Sequence, residues 1–212
     1  MDVYFFNITV LRNRDVFNEK LKEVSESRIK KIKKLKNTDD RLRSLGAGLL
    51  MNFVRKQYHV KEELRMDKFG KPFFVNSKIH FNISHSGNFV VMAVSDWNIG
   101  IDVQRMKLVR NRVAEKNFLP RECEYINELE DDQVKQQRFC EIWTIKEAYL
   151  KNQGIGLRKP LNSFEVDLSE EVPKIVDHDE LRVVQFKMDT RYVVAVCADQ
   201  RDTEFRIEEI VV

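Results

Sequence analysis

The stretch from Phe81 to Gln104, FNISHSGNFVVMAVSDWNIGIDVQ, decides the fold. Runs near 80–84, 88–95 and 99–104 are dominated by apolar and β-branched residues and are parted by turn-forming residues, around Gly87 and again from Asp96 to Asn98. That is the pattern of successive strands. Within 98–104, Ile101 and Val103 fall on one face and Asp102 and Gln104 on the other, so two oxygen-bearing side chains point the same way. Upstream, Phe69-Gly70-Lys71-Pro72 punctuates the chain before a strand-like run at 73–75.

Long helices flank this region on both sides. Leu42, Leu45, Leu49 and Phe53 recur at three- and four-residue steps behind Thr38, a candidate cap followed by Asp39 and Asp40, which predicts a helix with one buried face. The second long helix is predicted over 132–153, stopped at Gly154 by a left-handed turn. Residues 3–10, VYFFNITV, open the chain as a strand, and a charged stretch with partly helical spacing runs to about residue 37. Short helices are expected over 108–130, with Pro120 at a first helical position, and strands near 163–168, 182–188, 191–198 and 204–212. This order, with no low-complexity linker, sets a division near residue 100 into lobes of 1–100 and 101–212.

The 212 residues, 42% of them hydrophobic, are enough for one large domain or two small ones sharing a core. With 37 Lys and Arg against 34 Asp and Glu, the net charge of +3 gives no argument for a nucleic-acid partner. Cys123, Cys140 and Cys197 are odd in number and widely spaced, which points away from a disulfide framework or zinc site and towards a reducing compartment. Asp2 stands where a signal peptide would be basic, and the longest apolar run, Phe89 to Val94, is far too short for a membrane span. A soluble cytoplasmic protein is expected.

Four clusters carry chemistry, and each alone has a plainer reading. Ser84, His85 and Ser86 crowd hydrogen-bond donors suited to a phosphate, although a turn also selects Ser, Gly and Asn. Asp102 and Gln104 offer oxygen ligands, or else face solvent as ordinary strand residues. Trp143, Glu147 and Lys151 share one helical stripe, where Glu147 and Lys151 can equally form an intrahelical pair worth about 0.2–0.5 kcal/mol. The run RIKKIKKLK at 28–36, with Arg41, Arg43 and Lys71 further on, can surround a highly anionic ligand or simply coat a solvated helix.

Taken together and in order, GKP at 70–72, FNISHS at 81–86, GIDV at 100–103 and WTIKEAYLKNQGIGL at 143–157 resemble the surfactin-type 4′-phosphopantetheinyl transferases. The resemblance runs from about residue 25 to 165 and implies an α/β (α+β) fold: a pseudo-dimer of two similar lobes, each a small antiparallel sheet packed with a long helix. Coenzyme A would lie between the lobes. The division near residue 100 agrees with that picture. Matched residue to residue, Lys31, Arg43, Lys71, Ser84 and His85 would hold the 3′-phosphoadenosine end. Asp102 and Glu147 would hold Mg²⁺, and Lys151 would contact the phosphates at the bond that breaks. Asp102, Glu147 and Lys151 form the implied catalytic set, with Glu147 as base for the serine of an apo acyl or peptidyl carrier protein and 3′,5′-ADP as leaving group.

One position departs from the family pattern. Gln104 stands where many members carry a third acid, which leaves a neutral oxygen beside a two-carboxylate Mg²⁺ site. Residues 106–119 would meet an acidic carrier through Lys107, Arg110 and Arg112, with Met106, Leu108 and Val109 as apolar contacts. A monomer is expected, with no nucleic-acid or membrane partner. The rivals are a nucleic-acid-binding module reading phosphates with the 28–36 run, and another Mg²⁺-dependent enzyme acting on a nucleotide pyrophosphate. The charge balance opposes the first and the lack of a Walker or glycine-rich phosphate loop opposes the second.

Overall fold

The computed structural model of the chain describes residues 1–107 and 111–211. It opens with strand β1 (Asp2–Asn7) and helices α1 (Arg14–Leu21), α2 (Glu26–Lys34) and α3 (Thr38–Gln57). Strands β2 (Leu64–Met66), β3 (Pro72–Phe74), β4 (His80–Ser86), β5 (Phe89–Ser95) and β6 (Ile99–Arg105) follow. Helices α4 (Asn111–Asn117), α5 (Pro120–Asn127) and α6 (Asp132–Gln153) lead to β7 (Val166–Asp167), β8 (Lys174–Ile175), β9 (Leu181–Met188), β10 (Tyr192–Asp199) and β11 (Arg206–Glu209).

Two sheets stack between two long helices. The first has strand order β11-β1-β5-β4 and the second β6-β10-β9. β5 explains why they stack, because every one of its residues is buried. Val90, Met92 and Val94 join the core under α3 with Leu45, Leu50 and Val54. The alternate residues Phe89, Val91 and Ala93 pack on Ile99, Ile101 and Val103 of β6 and Val194 and Val196 of β10. A strand covered on both faces is apolar throughout instead of alternating. On the far side Ile145, Ala148 and Tyr149 of α6 close on Ala195 and Cys197. The layers therefore run α3, first sheet, second sheet, α6, the two-lobed arrangement of a sheet and a long helix on each side.

Several local expectations are corrected. The strands of residues 81–104 divide between the sheets, β4 and β5 in the first and β6 in the second. The opening strand stops at Asn7 and Ile8–Arg12 is a 3-10 helix. Asn37, not Thr38, caps α3 by accepting from the Asp40 amide. The last strand, expected within the second lobe, pairs in parallel with β1, so residues 206–209 complete the first sheet and make it mixed instead of antiparallel. Pro120 does open α5, and Gly154 (φ 67°) stops α6. Among the described residues no helix is long and apolar enough to cross a membrane.

Candidate active site

The NISHS segment is strand, not turn: β4 runs through Ser86, and the reversal is made at Gly87 and Asn88. Alternation sends its side chains two ways. Phe81 and Ile83 face the α3 core. Asn82, Ser84 and Ser86 face β6 and accept its amide protons one after another: Ile101 N–H to Asn82 Oδ1 at 3.0 Å, Val103 N–H to Ser84 Oγ at 3.4 Å and Arg105 N–H to Ser86 Oγ at 3.0 Å. Side chains spaced by two thus stitch the first sheet to an edge of the second. Buried amides left without such partners would each cost about 1–3 kcal/mol.

That stitch delivers Asp102. Its buried carboxylate accepts the Ser84 hydroxyl at 2.7 Å and the Lys151 ammonium at 2.6 Å, both at Oδ1. Lys151 also donates to Ser84 Oγ at 3.0 Å and to the Ile101 carbonyl at 3.2 Å. The intrahelical pairing open to Lys151 is thus replaced by an ion pair between α6 and β6. Glu147, one turn back, is half-buried. Burial, and then the negative charge of Asp102, push its carboxyl above the usual range, with Lys151 pulling the other way. Two acids and one lysine therefore share a small volume. Gln104 follows Asp102 on the same strand face, but its amide donates to the Arg105 carbonyl at 3.2 Å. Among the described residues no three His, Cys, Asp or Glu side chains gather as a metal-binding group, and the acidic donors here number two.

Across β4 from this cluster, on the face of Ile83 and His85, opens a cleft of about 460 Å³. Arg28 and Lys31, one turn apart on α2, supply positive charge, and Asp40, paired with Arg43, lines it from α3; His85 lines it from β4, and Gly70 and Pro72 from the hairpin. Ser44 faces it from α3, and its buried hydroxyl has no hydrogen-bond partner among the described residues. A satisfied interior seldom leaves a hydroxyl so, and a ligand oxygen or nitrogen in the cleft would pair it. The His85 ring reaches solvent at the mouth, yet partial desolvation and the nearby Arg43 charge lower its affinity for a proton, with a smaller push from Lys151.

Of the five residues expected to hold the 3′-phosphoadenosine end, Lys31 and His85 line this cleft together and the other three do not. Ser84 turns to Asp102 and Lys151. Arg43 donates to the Gly87 carbonyl at 2.9 Å and pairs with Asp40 at 2.5 Å, so it steadies the β4–β5 turn at the edge of the cleft. Lys71 leaves the cleft altogether. Its ammonium binds the carbonyls of Ile99, Lys151 and Asn152 at 3.1, 2.6 and 3.2 Å and so caps the end of α6. Burial lowers its pKa to about 8. Arg28 and Ser44 were missed, although Arg28 stands three residues before Lys31 on one helix face and Ser44 directly follows Arg43.

A further lysine lies inside the WTIKEAYLKNQGIGL helix motif. Lys146 is wholly buried, pairs with Glu122 Oε1 at 2.8 Å and donates to the Leu161 and Phe164 carbonyls at 2.8 and 2.5 Å. Glu122 in turn accepts the Leu119 and Val166 amides. This pair ties α5 and the 161–166 segment to α6, and so fixes the helix that carries Glu147 and Lys151. Of the expected carrier-facing residues, Leu108, Val109 and Arg110 lie outside the described residues. Met106 packs partly buried against a core cluster, which makes it an interior contact, and Arg112 is exposed on α4.

Residues 98–197 match the family described as the 4′-phosphopantetheinyl transferase superfamily, and residues 13–96 match the N-terminal part of 4′-phosphopantetheinyl transferases. The 4′-phosphopantetheinyl transferase gsp of Aneurinibacillus migulanus is 35% identical over 177 residues, spanning 80% of this chain and 73% of its own. Sfp of Bacillus subtilis (strain 168), also a 4′-phosphopantetheinyl transferase, is 31% identical over 189 residues, 84% of each chain. A Thermotoga maritima holo-[acyl-carrier-protein] synthase overlays 48% of this chain and 62% of its own at 21% identity and a TM-score of 0.41. The chain belongs to the 4′-phosphopantetheinyl transferase family, in its two-lobed surfactin type.

Proposed function

We propose that the protein moves the 4′-phosphopantetheine arm of coenzyme A onto a serine of an apo carrier protein and releases 3′,5′-ADP. The observation that carries this reading is the placing of two features on opposite faces of β4: a cleft lined by Arg28, Lys31 and His85 with an unpartnered buried hydroxyl at Ser44, and, reached through Ser84, the Asp102, Glu147 and Lys151 cluster. The first suits a phosphorylated nucleoside. The second suits a diphosphate under attack.

In this reading Arg28, Lys31 and His85 receive the 3′-phosphate, and Ser44 supplies a neutral hydrogen bond in the same cleft. Asp102 and Glu147 are the residues that would hold Mg²⁺, a cation that takes oxygen ligands and keeps several waters, so two carboxylates suffice. When bound, the ion neutralises charge growing on the diphosphate. Glu147 takes the proton of the carrier serine as its oxygen bonds to the β-phosphorus, and its raised pKa suits a base that must hold that proton. Lys151 meets the negative charge on the departing oxygen as the phosphoanhydride bond breaks. Gln104 is not required in this scheme: its side-chain N–H donates to the Arg105 carbonyl, and its amide oxygen would offer the ion only a neutral ligand that a water can replace. Lys107 and Arg112 remain basic positions for an acidic carrier. The lobes are assigned as two halves of one active unit, with the chain working as a monomer in the cytoplasm.

The test is a coupled measurement of 3′,5′-ADP released from coenzyme A in the presence of an apo carrier. Release that requires both carrier and divalent metal supports the reading; release without carrier identifies a hydrolase instead.

A further inference from the structure

The ammonium of Lys151 has the surroundings of a bound cation. Three oxygens converge on it, Asp102 Oδ1 at 2.6 Å, Ser84 Oγ at 3.0 Å and the Ile101 carbonyl at 3.2 Å. Two of the three come from β6 itself, and the third comes from the strand stitched to it. The nearest acid on its own helix, Glu147, is left to stand against Asp102. Resting on the metal assignment above, we infer that Lys151 is the resident cation of Asp102 in the free protein, and that a divalent ion gains the carboxylate only together with a diphosphate that draws the lysine away.

Charge counting leads there. Two carboxylates against one ammonium leave a single net negative charge. A divalent ion added with Lys151 in place would put two cationic centres on one carboxylate oxygen and leave the cluster positive. A diphosphate arriving with the ion brings anionic oxygens for both. Lys151 is able to follow them, because its side chain is 26% exposed and its ammonium ends a flexible four-carbon stem. Asp102 is not: at 9% side-chain exposure on a strand held by three amide bonds, it stays where it is. The exchange thus moves the lysine and keeps the carboxylate fixed, so coenzyme A and metal bind with positive cooperativity and metal alone binds poorly.

The experiment is a titration of the full chain with Mn²⁺, followed by the electron paramagnetic resonance of the free ion, with and without coenzyme A. Coenzyme A is expected to tighten Mn²⁺ binding about ten-fold or more, within the usual range for coupled sites. Lys151→Met keeps the apolar stem without the charge and is expected to tighten Mn²⁺ binding in the absence of coenzyme A by a similar factor, with the coupling reduced. Lys151→Gln provides a second neutral variant that retains a donor for the Ile101 carbonyl. If both bind Mn²⁺ alone no more tightly than the wild type, while Asp102→Asn abolishes binding, the metal assignment stands and the role given to Lys151 is wrong. If Asp102→Asn binds Mn²⁺ as the wild type does in the presence of coenzyme A, the metal assignment fails and this inference fails with it.

Discussion

Gly100 lies directly under Ala148, so close that a Cβ at Gly100 would stand 2.0 Å from the Ala148 carbonyl oxygen and 2.3 Å from the Asn152 amide nitrogen. Both neighbours are backbone atoms of α6, which cannot turn aside as a side chain can. The glycine two residues before Asp102 therefore sets the distance between β6, which carries Asp102, and α6, which carries Glu147 and Lys151. Gly100→Ala is expected to lower stability by at least about 1–3 kcal/mol, the usual range for overpacking, and to abolish transfer even where the chain folds. Urea denaturation and a transfer assay check the two parts separately. Wild-type activity in this variant would mean that the close approach does not matter.

The buried Lys146–Glu122 pair yields a prediction about stability alone. Lys146→Ala leaves the Glu122 carboxylate uncompensated and should cost about 3–5 kcal/mol in urea denaturation. Replacing both partners by apolar residues often restores such losses, but here it would strand the Leu119 and Val166 amides and the Leu161 and Phe164 carbonyls. The double variant Lys146→Met, Glu122→Leu should therefore remain well below the wild type. Full recovery would show that these backbone contacts contribute little.

How much of this was legible in the sequence follows from the range of each interaction. The α3 and α6 helices and the β4, β5 and β6 strands declare themselves through local periodicity and apolar runs. The Asp102 and Gln104 face also follows from local alternation. The destination of Lys71 does not, because its carbonyl partners lie 28, 80 and 81 residues away. The return of β11 to β1 is likewise set by pairing across the whole chain. Ser84 and Ser86 read as turn residues because Gly87 follows them, whereas packing against β6 extends the strand. For Lys146 a usable signal existed: Ile142, Ile145 and Tyr149 stand three to four residues from it or next to it on the helix, so its phase is that of the buried face.

A pH prediction comes from His85. Its pKa is held below the ordinary histidine value by partial desolvation and by Arg43, so the free protein carries it uncharged near neutral pH. A 3′-phosphate beside it favours the imidazolium, and binding of coenzyme A then takes up a proton. By linkage, affinity weakens as pH rises through the raised bound-state pKa and levels off above it. Calorimetry in buffers of different ionisation heat measures the uptake. His85→Gln should remove this part, leaving the contribution of the phosphate itself, which titrates at about pH 6. Equal uptake in both proteins would place His85 away from the phosphate.

Gln104 separates the two-acid site from a three-ligand one. Removing Asp102 or Glu147 takes a full charge from the metal position, and transfer should fall by orders of magnitude. Gln104→Ala removes at most a neutral oxygen ligand that a water can replace, and should cost far less. Gln104→Glu should lower the Mg²⁺ concentration needed for half-maximal rate, since the new carboxylate shares the strand face of Asp102. A Gln104→Ala loss as deep as that of Asp102→Ala would give Gln104 a direct role.

The most direct measurement is the intact mass of apo carrier proteins after incubation with the protein, coenzyme A and Mg²⁺. The account predicts that at least one carrier gains the mass of a single phosphopantetheine group at its serine, with an equal amount of 3′,5′-ADP, and that Asp102→Ala gives no such gain. Carriers that all stay unmodified while the folded protein binds coenzyme A would contradict it, as would full modification by the Asp102→Ala variant.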